Sequence, residues 1–102
     1  MVLYINTKDP KVVTVSLKKG GEVVKSLSEE NEYGSEVLLP LIERLLKSQK
    51  LNFEDLNGIE AEEGPGSFTG LKVGASVAQV LGYALKIPVN GKVGKPITLR
   101  YT

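Results

Sequence analysis

The chain has 102 residues, a size that suits one domain able to bury a modest core. Thirteen Lys and Arg against twelve Asp and Glu leave a formal charge of +1, so no overall field points to nucleic acid or an anionic membrane as a direct partner. Cysteine and histidine are both absent. That excludes disulfides, thiolate nucleophiles, Ser-His and Cys-His catalysis and the usual zinc sites, leaving carboxylates, Lys, Tyr, Ser and Thr as candidate catalysts.

The first residues, Met1 to Ile5, lack the basic lead and long apolar core of a signal peptide, and no apolar run approaches the roughly 18 residues of a membrane span. A cytoplasmic protein with no membrane contact is expected. Val2 to Asn6 reads as a short buried strand, closed by the turn-forming Asn6-Thr7-Lys8-Asp9-Pro10. In Val12 to Lys18 the apolar Val13, Val15 and Leu17 alternate with Val12, Thr14 and Ser16. After Gly20-Gly21, Glu22 to Ser28 turns back as an antiparallel hairpin beside the first strand.

Glu29 to Gly34 reads as a polar connection whose acidic residues face solvent. A helix should follow, with Ser35 as N-cap, Glu36 suited to the positive end of the dipole, and Val37, Leu38, Leu41, Ile42, Leu45 and Leu46 at the 3.6-residue period. Pro40 falls in or just past its first turn, where a missing N–H costs least. Leu56 to Glu62 reads as a strand with Ile59 and Ala61 on one side and Glu60 and Glu62 toward water or a partner. A second helix should run from near Thr69 to about Leu85, with Ile87-Pro88-Val89 as the strand after it and Ile97 to Tyr101 as another short strand. The expected class is α/β: a mixed β-sheet with an N-terminal antiparallel three-strand meander and two main helices.

Gly64-Pro65-Gly66-Ser67-Phe68-Thr69-Gly70 stands where a strand becomes a helix. Such a loop can aim backbone N–H groups and a helix N-terminus at an anion, or it can be a fixed corner of the fold. It fails the P-loop test, because Gly70 is followed by Leu71 and Lys72 by Val73. It fails the dinucleotide fingerprint too, because Thr69 stands where a third glycine is needed and no acid lies at the required distance beyond. The residues themselves leave a structural corner and an anion site at Gly64, Gly66, Ser67, Thr69 and Gly70 both open, with Ser67 or Thr69 able to cap the helix.

Gly70, Gly74, Ala78 and Gly82 recur every four residues and draw one narrow stripe almost without side chains. Glycine inside a helix costs roughly 1 kcal/mol relative to alanine, so such a stripe implies a close contact in return. That contact is either the protein's own sheet or first helix, or a helix of a second chain. No catalytic residue, metal site or cofactor is expected, and a peptidase or nucleotide hydrolase would lack a credible catalyst.

Four segments are recognisable together: Ser35-Glu36-Val37-Leu38-Leu39-Pro40-Leu41-Ile42, Asp55-Leu56, the glycine loop continued through Leu71-Lys72-Val73-Gly74, and Gly82-Tyr83-Ala84-Leu85-Lys86-Ile87-Pro88-Val89. In that order they resemble the bacterial YeaZ/TsaB family. The resemblance implies a single actin-like, Hsp70-like (ribonuclease H-like) lobe over residues 1–102, with the family's second lobe absent. It also implies a non-catalytic partner in threonylcarbamoyl modification of tRNA adenosine, contacting tRNA only indirectly. Its partner would be a TsaD-type transferase, with a TsaE-type ATPase in the same complex and a homodimer as the competing arrangement. Pairing through N-terminal-lobe helices would make Val37, Leu41, Leu45, Gly74, Ala78 and Gly82 the contact residues, so Ala78→Leu should abolish pairing and leave the fold intact. Departures from the family pattern are Asn6-Thr7-Lys8 in place of Asp-Thr-Ser, Gly34 in place of a histidine, and the acidic Glu60, Glu62 and Glu63 before the loop.

Overall fold

Alternation of apolar and polar residues produces the N-terminal strands, and a computed structural model of the chain describes residues 1–31, 36–94, 97 and 99. Strands β1 (Val2–Asn6), β2 (Val12–Lys19) and β3 (Glu22–Glu30) form an antiparallel meander, and β4 (Gly58–Ala61) lies parallel to β1 on its other side. The four-stranded sheet has the order β3-β2-β1-β4. Register puts Leu3 and Ile5 opposite Leu17 and Val15, and beside Ile59 and Ala61, so these side chains share one face of the sheet.

Helices α1 (Leu38–Ser48) and α2 (Phe68–Leu85) cover that face. The packing is α1 over β2 and β3, and α2 over β1 and β4. Leu38, Leu41, Ile42, Leu45 and Leu46 of α1 and Ala78 of α2 join the strand residues in one buried cluster. Each apolar stripe that the helical period predicts is therefore spent on this core.

The start of α1 differs from the sequence expectation. Val37 is the N-cap, in αR conformation and without a side-chain capping bond, and the first helical bond runs from Leu41 N–H to Val37 O at 2.8 Å. Ser35, the expected cap, lies outside the described residues. Pro40 is the third helical residue, where its missing N–H would have had no helical acceptor in any case. A 3-10 helix at Phe53–Asp55 leads into β4, with the Asp55 carboxylate accepting from Asn52 N–H at 2.8 Å.

The later strands also differ from expectation. β3 continues past Ser28 through Glu29 and Glu30, which pair with Val13 and Val12, and Glu29 turns its side chain to Arg44 at 2.9 Å. Two residues assigned to the polar connection are thus strand, because the backbone ladder outlasts the apolar pattern. β4 spans only Gly58–Ala61 of the expected Leu56 to Glu62, although Glu62 N–H still donates to Ile5 O at 2.8 Å just past its end. The expected strand Ile87-Pro88-Val89 is reduced to an isolated parallel bridge between Val89 and Ile59. Pro88 has no N–H to donate, and Asn90-Gly91 turns the chain at once with φ of +51° and +77°. Of the expected strand Ile97 to Tyr101, Ile97 and Leu99 are not in a strand and the rest lies outside the described residues.

The opposite face of the sheet is polar and pairs its groups with one another. Thr14 and Ser28 hydroxyls lie 2.9 Å apart, and those of Ser16 and Ser26 lie 2.7 Å apart. Lys18 reaches Glu60 at 3.0 Å with its ammonium 4.5 Å from the Tyr4 ring centroid, while Tyr4 donates to Glu62 at 2.7 Å. Glu60 and Glu62, left between water and a partner by the sequence, are held by this cluster.

Partial burial, together with the hydrogen bond to Glu62 and the negative charges of Glu62 and Glu60, raises the Tyr4 phenol well above the usual tyrosine range. The folded state therefore keeps this proton to higher pH than the unfolded chain, so the associated stability is present below about pH 10 and is lost as pH rises beyond it. In an ultraviolet titration of the four tyrosines, one should ionise after the others, and Tyr4→Phe should remove that late step.

Candidate functional site

The glycine loop rests on the turn after β1. Gly64 has φ +100° and begins the loop with a cis Gly64-Pro65 peptide. A Cβ on Gly66 would lie 2.6 Å from Lys8 Cβ and 2.9 Å from Lys8 O. One helical turn on, a Cβ on Gly70 would collide with Thr7 O. Another turn on, one on Gly74 would collide with Thr7 Oγ1 and meet Ile5 Cγ2 at 3.4 Å. Three glycines spaced four apart are thus seated on one dipeptide, Thr7-Lys8, whose Thr7 is 2% exposed.

Three N–H donors of the loop are engaged inside the chain. Ser67 N–H donates to Lys8 O at 2.9 Å, Gly70 N–H to Ser67 Oγ at 3.2 Å, and Gly64 N–H to Glu62 Oε1 at 3.3 Å. Ser67, not Thr69, caps α2, and Thr69 is exposed on the first turn. The geometry is that of a corner closed by backbone contacts, with these three N–H groups directed to the chain's own oxygens.

The expected contact residues face inward. Ala78 and Leu45 are 0% exposed and Leu41 is 1% exposed, while Val37 packs against the core from its edge. Gly74 faces Thr7, and Gly82 faces Val89 Cγ2 with Ile87 O 3.3 Å from its missing Cβ. Of the two contacts that the small-residue stripe left open, the one present is with the protein's own sheet and the turn after α2. Ala78→Leu would therefore insert a large side chain into the core rather than mark an interface.

The outward surface of α2 is carried by residues outside the expected contact set. Phe68, Val80 and Tyr83 are 53%, 67% and 88% exposed. Their signal was available: from Val73 to Leu85 the helix has no charged residue, so its solvent side is not the charged side of an ordinary amphipathic helix. At its C-terminal end an open recess of about 700 Å³ is lined by Gly82, Tyr83, Ile87, Val89, Lys92 and Val93.

The seat on Thr7-Lys8 makes a sign test. At an ordinary helix interior, glycine to alanine gains up to about 1 kcal/mol. Gly70→Ala should instead lose about 1–3 kcal/mol by overpacking against backbone that cannot yield, read as a lower midpoint in urea unfolding.

A family model described as TsaD: tRNA N6-adenosine threonylcarbamoyltransferase matches residues 15–91. The chain is 38% identical over 93 residues to tRNA threonylcarbamoyladenosine biosynthesis protein TsaB of Buchnera aphidicola subsp. Schizaphis graminum, covering 89% of this chain and 43% of that relative. It is 48% identical over 54 residues to the tRNA N6-adenosine threonylcarbamoyltransferase of Nitrosospira multiformis, covering 53% of this chain and 16% of the relative.

Among solved structures, YeaZ from Pseudomonas aeruginosa superposes with a TM-score of 0.77 at 30% identity, over 86% of this chain and 42% of that one. A second, described as an uncharacterized protein with similarity to peptidase YEAZ from Pseudomonas aeruginosa, gives a TM-score of 0.72 at 28% identity over 86% and 40%. The chain spans less than half the length of the TsaB relative and of both solved structures. The matched family model, the named relatives and the shared lobe agree: the chain belongs to the TsaD family, among its YeaZ/TsaB proteins, and has their actin-like, ribonuclease H-like lobe.

Proposed function

We propose that this chain serves tRNA threonylcarbamoyladenosine biosynthesis as a non-catalytic partner that binds a TsaD-type threonylcarbamoyltransferase subunit through the outward face of α2. The observation that carries this reading is the uncharged stretch Val73 to Leu85, with Val80 and Tyr83 67% and 88% exposed beside half-buried Val77 and Leu81. An apolar helix face of that kind is suited to a second helix, and aromatic anchors such as Tyr83 are enriched where partners meet. The names of the relatives place them in the same biosynthesis.

In this reading Gly74, Ala78 and Gly82, with Leu41 and Leu45, set the orientation of the helix from inside and do not touch the partner. A TsaE-type ATPase would join through the transferase, and tRNA contact stays indirect. A homodimer through the same Val80–Tyr83 surface would compete with the heterodimer. Among the described residues no helix is long and apolar enough to cross a membrane.

The test is co-purification of the chain with the transferase subunit of its own source cell. Val80→Asp and Tyr83→Asp should each reduce capture about tenfold or more, as expected for charge placed in an apolar contact, with unchanged circular dichroism. Undiminished capture by both variants would remove this face from the interface. Calorimetry with ATP and Mg²⁺ tests the non-catalytic half of the proposal, which tight binding by the chain alone would contradict.

A further inference from the structure

The edge of the sheet beyond β4 is closed by a side chain instead of a strand. Ile59 donates to Pro88 O at 2.9 Å and accepts from Asn90 N–H at 2.8 Å, as in a parallel ladder. One step further, the partner of Ala61 is the Asn90 carboxamide. Its Oδ1 accepts from Ala61 N–H at 2.7 Å, and its Nδ2 donates to Ala61 O and to Glu63 Oε2, both at 3.1 Å. This bracket needs a donor and an acceptor on one short side chain, which an amide has and a carboxylate lacks.

Asn90 is followed by Gly91, which is exposed, has φ +77° and would meet nothing within 4 Å if it bore a Cβ. Without a side chain, the Gly91 nitrogen is sterically open to its neighbour. We propose that Asn90-Gly91 is a site of spontaneous deamidation whose product releases the sheet edge at Ala61. The Gly91 nitrogen gives up its proton and attacks Asn90 Cγ. A C–N bond forms, Nδ2 leaves as ammonia, and water opens the cyclic imide to aspartate or isoaspartate. The overall change consumes one water and releases one ammonia, with no other reactant.

The product carboxylate can still accept from Ala61 N–H. It cannot donate to Ala61 O, and it faces the Glu63 carboxylate in place of a hydrogen bond. Isoaspartate also adds an atom to the main chain inside a two-residue turn. Both products open the bracket, and neither returns to asparagine, because the amide nitrogen has left as ammonia.

The test is incubation of the purified chain at mildly alkaline pH beside a synthetic peptide spanning Val89 to Val93, with peptide mapping and amide hydrogen exchange. The chain should gain the mass of OH for NH2 at Asn90, more slowly than the peptide because the bracket holds the carboxamide. In the modified fraction, exchange at the amide of Ala61, a residue 5% exposed, should rise about tenfold or more. Asn90→Asp should reproduce that rise without incubation. If that variant does not fold, the modified fraction separated by charge gives the same readout. No conversion at Asn90 while the peptide converts, or conversion with Ala61 protection intact, overturns the proposal.

Discussion

The close approach of α2 to Thr7 and Lys8 is the constraint on which the rest of the lobe depends. Backbone oxygens at both residues and the Thr7 hydroxyl occupy the space where Cβ atoms at three successive turns of the loop and helix would stand. Only glycine at 66, 70 and 74 permits this seat, so conformational entropy and helix propensity are given up in exchange for a fixed helix axis. The Ser67 cap and the bond from Ser67 N–H to Lys8 O then lock the direction in which the helix starts.

A helix fixed from beneath has a defined outer face. Ala78, against the core, and Gly82, against Val89, continue the seat along the same side of α2, so Val80 and Tyr83 are turned outward by necessity. The binding role proposed for this face thus depends on residues that never touch the partner. The other side of the sheet is finished differently: its hydroxyls pair across strands and its charges pair around Tyr4.

Much of this was legible in the sequence because it follows from periodicity. Val13, Val15 and Leu17 announced a half-buried strand, and Leu41, Ile42, Leu45 and Leu46 a helix face. What periodicity could not supply was the identity of the surface each face meets. The stripe from Gly70 to Gly82 demanded close neighbours without naming them: for Gly70 and Gly74 the neighbour is Thr7, more than sixty positions earlier in the chain, and for Gly82 it is Val89, just beyond the helix. The strand expected at Val89 is reduced to a single bridge for a related reason. Its ladder is completed by the Asn90 side chain, a substitution that looks like an ordinary turn residue in sequence.

Position 74 is glycine because of Thr7, and a double-mutant cycle measures this directly. Gly74→Ala and Thr7→Ala are each unfolded in urea, alone and combined. If Thr7 Oγ1 is the obstacle, the double variant should be more stable than the sum of the two single losses predicts, by about 0.5 kcal/mol or more. Strict additivity would show that Thr7 is not what excludes a side chain at position 74.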